Sequence, residues 1–197
     1  MKQRYTKATI LGALCILPYA TSAYAAQKYV FEPNHTQITW QANHVGFSSP
    51  TGKFVTVAGA VMLDEEKPQN STVEVTIATA DISTGIAKFD THLKSADFFD
   101  VERFPQATFK STAVEMTGKN TAKVQGTLNL LGVSKPVTLD VTLNKIDIMP
   151  MVQKKTAGFS AKATLKRSDF GIKYGLPMVG DDVHITIEAE ARVEDQK

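Results

Sequence analysis

Four histidines, at positions 35, 44, 92 and 184, are the side chains of this sequence best suited to moving a proton near neutral pH, and His92 sits within an acidic cluster. Asp90, Asp97 and Asp100 cluster around it with Arg103 close behind, a set that could supply an acid and a base. Capping of a short helix and surface ion pairing account for the same residues without any catalysis. No two histidines stand at the helical or hairpin spacing that a zinc site asks for, so no metal site is expected. His184 falls on the polar side of an alternating segment and is expected in solvent, whereas His35 and His44 flank an early strand, where a hydrogen-bonding role in structure is expected. No nucleophile elbow, phosphate loop or kinase signature occurs. No enzyme is expected on these grounds; an acid–base pair of His92 and Asp90 acting on a lipid or small amphiphile is the alternative.

The elements that would position these residues begin after a leader. Lys2, Arg4 and Lys7 precede an apolar run from Ala8 to Tyr19 and then Ala23-Tyr24-Ala25, the pattern of a cleavable secretory signal peptide over residues 1–25. The run is too short for a membrane-spanning helix, which needs roughly twenty apolar residues. Cys15, the only cysteine, lies in this segment behind Leu14, where a lipoprotein signal would carry a small residue. Cleavage removes three of the 22 basic residues and none of the 20 acidic ones, leaving residues 26–197 close to neutral. No Lys/Arg-rich run survives to engage a phosphate backbone, so nucleic acid is not an expected partner. Without cysteines, the exported domain must draw its stability from burial.

Apolar and polar residues alternate along most of that domain, most regularly at Val183, Ile185, Ile187, Ala189, Ala191 and Val193, interleaved with His184, Thr186, Glu188, Glu190 and Arg192. Successive strand side chains point to opposite faces, so each such segment has one dry and one wet side. The pattern predicts strands near 29–31, 37–42, 52–63, 72–82, 107–116, 122–130, 137–148, 157–166 and 183–193, separated by turns such as 65–70, 117–120 and 131–136. Many strands of this kind must fold their dry faces over one another as an antiparallel barrel or sandwich in a single all-β domain. An open sheet edge would also offer a route to a homodimer.

One segment breaks the pattern. Ile86, Phe89, Leu93 and Ala96 recur at helical spacing and predict a short helix near 86–96 that caps one end of the interior. Five of the ten phenylalanines, Phe89, Phe98, Phe99, Phe104 and Phe109, fall in this stretch; they are core, the wall of an enclosed site, or both. Alanines on the dry faces at 161, 163, 189 and 191 leave volume that either larger neighbours or a cavity must occupy. Both readings stand on the sequence.

The block Asp90-Thr91-His92-Leu93-Lys94-Ser95-Ala96-Asp97-Phe98-Phe99-Asp100, followed by Phe104-Pro105-Gln106-Ala107-Thr108-Phe109, resembles the hallmark of the YceI-like family of exported bacterial proteins. Pro33-Asn34-His35-Thr36, Gly46 with Gly52-Lys53-Phe54, the run Gly126 to Val137 and Arg167-Ser168-Asp169-Phe170-Gly171 resemble other family blocks in order and spacing. The resemblance covers nearly all of residues 26–197. It implies an extended, lipocalin-like antiparallel barrel that sequesters or carries a long-chain isoprenoid or other amphiphilic lipid, usually in the periplasm, with no cofactor besides that lipid. The ligand-contact positions it implies are Phe54, Phe89, Leu93, Phe98, Phe99, Phe109 and Phe170. Phe104 falls in the same block, and the bulk of Phe98-Phe99 would shorten the cavity. His92, Lys94 or Arg167 would meet a phosphate or hydroxyl head at the mouth. Partition alone would drive such binding, at about 0.8 kcal/mol per buried CH₂. A ligand-free exported interaction domain is the remaining alternative.

Overall fold

The alternation at the C-terminus becomes β11 (Val179–Val193), and this strand organises the molecule. The computed structural model describes residues 26–194, and the expected signal peptide lies outside the described residues. β11 pairs antiparallel with β10 (Lys154–Lys166) from Asp182 to Arg192. On its other edge it meets β2 (Gln37–His44) through Val179 to Glu188 and β1 (Gln27–Phe31) through Ala191 to Val193. β1 and β2 are thus one strand interrupted by the 3-10 turn Pro33–His35.

The next two strands bend at the same level. β3 (Thr51–Phe54) pairs β2, and its continuation β4 (Val57–Leu63) pairs β1; β5 (Thr72–Ala78) pairs β4, and its short continuation β6 (Ile82–Ser83) pairs β3. The expected unbroken strands 52–63 and 72–82 are therefore each two strands. The breaks face each other and are latched: the Ala78 N–H donates to the Thr56 carbonyl at 3.0 Å, and the Thr56 hydroxyl donates to Asp81 at 2.5 Å. β7 (Gln106–Met116), β8 (Thr121–Leu130) and β9 (Val133–Met149) complete an up-and-down order back to β10. The result is an eight-stranded closed antiparallel barrel with one short helix. Closure pairs β1 with β11, and strand edges with one neighbour remain at β6 and at the start of β9, before Asp140.

β9 starts earlier than expected, because the turn before it is only Leu131-Gly132, both at positive φ (55° and 74°), the tight hairpin geometry that suits twisted strands. Pro136 consequently lies inside β9. It is tolerated there because it sits beyond the last β9–β10 pair, Asp140 with Lys162, where the strand has only one neighbour. Further along, Asn144 is an extra residue opposite the Gly158/Phe159 step, and this bulge switches the inward position from Leu143 to Ile146.

Helix α1 spans Ala87–Lys94, shorter than the expected 86–96. Asp90 sets its start: its carboxylate accepts the Thr84 backbone N–H and hydroxyl, both at 2.6 Å, tying the turn before the helix to its first turn. Those two hydrogen bonds, hydroxyl first, hold the Asp90 carboxyl below its ordinary pKa. Only Phe89 and Leu93 of the expected apolar face turn inward; Ile86 is 61 % exposed and Ala96 is in solvent.

Candidate functional site

Both the hairpin between β2 and β3 and α1 lie at one end of the barrel, together with the β8–β9 turn and the loop before β11. The opposite end is filled. There Tyr29, fully buried, packs with Ala157 and Ala191, also fully buried, and with Val61, Leu63 and Ile146. The Tyr29 hydroxyl donates to Glu65 at 2.7 Å, and Lys155 donates to the same oxygen at 2.5 Å. Burial and the Glu65 carboxylate push the tyrosine pKa up; burial alone would raise Glu65 as well, but the bonds from Lys155 and Tyr29 hold it down.

Above this plug the barrel encloses a cavity of about 600 Å³, within the range of small-molecule sites. Its walls are the dry faces of the strands, including Ile38, Val75, Ile77, Leu128, Leu139 and Ile185. Ala163 and Ala189 leave part of the space, so the cavity reading of the dry-face alanines holds here, while Ala157 and Ala191 are filled by Tyr29. The cap is aromatic. Phe89 meets Trp40 edge-on at 6.4 Å, Phe99 meets Phe54 at 5.5 Å, and further out His92 stacks edge-on with Phe98 at 5.0 Å and Tyr174 at 4.9 Å. Exposed His44, Ser48 and Tyr174 also line the space, which places its mouth between the β2–β3 hairpin, α1 and the loop before β11.

Phe54, Phe89, His92, Leu93, Phe98, Phe99, Phe109 and Phe170, drawn from five separate stretches of sequence, all border this one cavity. Phe104 does not; it packs on the outside against Gly132, where a Cβ would sit 3.1 Å from its ring, and beneath Arg103. Among the expected head-group contacts, Lys94 does not line the cavity. Arg167 lines it but is committed: its guanidinium donates to the carbonyls of Gly180, Ile172, Tyr174 and Val179 at 2.8–3.3 Å, clamping the loop before β11. Periodicity would have given Trp40, which follows Ile38 at the inward parity of β2. Tyr174 and Ile172 come from an irregular loop and leave no such signal.

The charged groups do not form the acid–base pair considered from sequence. His92 bonds to Asp97 at 2.9 Å on the half-exposed rim, while Asp90 is occupied by Thr84. His184 bonds Thr164 on the outer wall. His35 and Glu32 share a 2.5 Å hydrogen bond, and Glu190 brings its carboxylate within 3.8 Å of the same nitrogen. Glu190 thus joins the local pair Glu32 and His35 from a distant strand, and the three lie within mutual reach of a cation. Arg192, 3.9 Å from Glu32, joins this group, whose residues do not line the cavity.

A model of the YceI-like domain matches residues 29–191. The chain belongs to the YceI-like family. Its relatives include a UPF0312 protein of Pseudomonas putida strain W619, 39% identical over 168 residues and covering 85% of this chain and 87% of the relative. Protein YceI of Salmonella arizonae is 36% identical over 187 residues, covering 93% and 97%. Among solved structures, BcnA of Burkholderia cenocepacia superposes with a TM-score of 0.74 at 25% identity, covering 82% of this chain and 99% of BcnA. A polyisoprenoid binding domain from Saccharophagus degradans gives 0.67 over 87% and 100%, and at 12% identity this match speaks for the fold alone. No helix among the described residues is long and apolar enough to cross a membrane.

Proposed function

We propose that this YceI-like protein is exported to the periplasm by residues 1–25 and there sequesters or carries a long-chain isoprenoid or similar amphiphilic lipid in its barrel. The observation that carries the proposal is the cavity itself: about 600 Å³, walled by aliphatic and aromatic side chains, plugged at one end and capped by aromatic rings at the other. A dry, shaped volume of this kind takes up hydrocarbon by partition, each buried CH₂ contributing about 0.8 kcal/mol, with no need for a strong polar contact. The eight residues named above would be the chain's main contacts. A packed interaction domain would have filled this volume. Binding rather than catalysis is favoured because the paired charged groups serve the rim, the lid turn and the outer wall. The Saccharophagus domain, named for binding a polyisoprenoid, shares this fold.

Native mass spectrometry of protein purified from its own host tests this reading. The expected result is a bound species of defined lipid mass that is lost in Phe99→Asp while the melting profile is kept. A wild-type protein that never carries or accepts lipid would overturn it.

A further inference from the structure

Apolar side chains that belong neither to the core nor to the cavity wall gather at the open end of the barrel. Phe47, 91 % exposed, stands in the turn between β2 and β3, and Met178, 67 % exposed, in the loop before β11. Val45 and Tyr174, from the same two segments, are about half exposed. Val45, Phe47 and Met178 do not line the cavity, so contact with cargo does not account for them. The two segments are tied together, with the Val45 N–H donating to the Met178 carbonyl at 3.1 Å. The turn itself is firmly built: the His44 N–H donates to the Ser48 carbonyl at 2.8 Å, the Phe47 N–H to the His44 carbonyl at 3.0 Å and the Gly46 N–H to the Asn43 side chain at 2.9 Å. Val45 lies at φ 57°, a left-handed conformation that a β-branched residue adopts only under constraint. The chain accepts this strain in a turn that holds an aromatic ring out in water.

The composition and the position of this surface select its partner. Neither 43–50 nor 172–179 contains an acidic residue, and Lys173 is their one lysine or arginine, so no carboxylate here has to lose its water or repels lipid phosphates. The Tyr174 ring packs on the aromatic cap through His92 and Phe98, at 4.9 and 5.4 Å, which sets the surface against the mouth itself. A tyrosine, with an apolar ring and a polar tip, suits the boundary between hydrocarbon and water. A stable protein interface takes roughly 20–30 residues a side, more than these two short segments supply.

Building on the lipid-binding reading, we propose that Val45, Phe47, Tyr174 and Met178 dock the open end of the barrel on a phospholipid bilayer, their side chains entering between the head groups, so that cargo passes between bilayer and cavity without crossing water. A hydrocarbon tail released into water gives up what burial in the barrel gains, which makes free release slow. An apolar rim seated in the bilayer replaces that step with a continuous apolar path. No basic run is needed, because burial of apolar side chains at the bilayer surface supplies the attachment.

Transfer of anthraniloyl-geranylgeraniol from loaded protein to phosphatidylcholine vesicles carrying an NBD-labelled phospholipid as energy acceptor tests the proposal. The wild-type rate should rise in proportion to vesicle concentration, as collision requires. Phe47→Ser combined with Met178→Ser should slow transfer about tenfold, a factor that the lost burial of these two side chains accounts for. Affinity of this double variant for the probe without vesicles should stay at the wild-type value, because neither residue lines the cavity. Met151, exposed in the β9–β10 turn at the plugged end, has no opening behind it, and Met151→Ser should transfer at the wild-type rate. A rate independent of vesicle concentration, a wild-type rate in the double variant, or equal slowing by Met151→Ser overturns the proposal. So does a double variant that turns a wild-type dimer into a monomer with transfer unchanged, which assigns the surface to a second copy. If wild type takes up no probe in the absence of vesicles, it is the lipid-binding reading that fails. Surface plasmon resonance of unloaded protein on a captured phosphatidylcholine bilayer then decides the docking: weaker retention of the double variant upholds it, and equal retention refutes it.

Discussion

The two ends of the barrel are built from the same inward alternation yet finish in opposite states. At the plugged end Tyr29, Ala157 and Ala191 have no exposed surface, whereas Leu130, Leu165 and Ile185, equally inward, stay only partly buried because they face the cavity. The difference lies in what stands across from the small residues. Ala157 and Ala191 receive the Tyr29 ring, and Ala163 and Ala189 receive nothing of comparable size. An inward alanine thus specifies neither core nor cavity; the partner across the barrel decides.

Removing the plug should have the largest effect. Tyr29→Ala takes away a fully buried aromatic ring and is expected to cost about 3–5 kcal/mol in urea unfolding, as large-to-small core changes do. A preserved denaturation midpoint would mean that this end is not the stabilising core. The same enlargement placed at each end then separates the two regions directly. Ala157→Phe has no space to enter and should lose about 1–3 kcal/mol through overpacking, whereas Ala163→Phe points into the cavity and should leave stability nearer wild type while lowering the amount of lipid bound per protein. Equal destabilisation by the two variants would erase the distinction.

The smallest effect concerns the lid. Asp90 has a depressed carboxyl pKa, so its contribution is present above the unfolded value of ~4 and is lost as pH falls through the lower folded value. Protection factors of the amides in 84–94 should fall as the pH drops through that window in wild type, and Asp90→Asn should show low protection at every pH. Exchange in the plugged end should not follow it.

Much of the barrel was legible before any coordinates. Strict alternation in β11, in β5 and in the first part of β9 assigned the inward residues correctly, since a strand's two faces follow from its period alone. The parity break at Asn144 was not legible, because a bulge depends on how many residues the partner strand places opposite. The breaks at Val55–Thr56 and Thr79–Asp81 were hidden for the same reason: both segments keep a strand composition, and only the change of pairing partner divides them. Ile86 was expected inward because spacing cannot see the Asp90–Thr84 tie that starts the helix at Ala87.

The site divides in the same way. By itself the sequence determined the all-β class, the inward faces, the short aromatic helix and the family blocks, because period, composition and local spacing are properties of neighbouring residues. The tertiary structure decided that eight residues from distant segments share one cavity and that Arg167 is spent on backbone carbonyls. It also decided that the Trp40 indole N–H is buried over a glycine with no hydrogen-bond partner among the described residues. Enclosed volume and unmet hydrogen bonds arise only between segments that the chain brings together, and no local pattern encodes them.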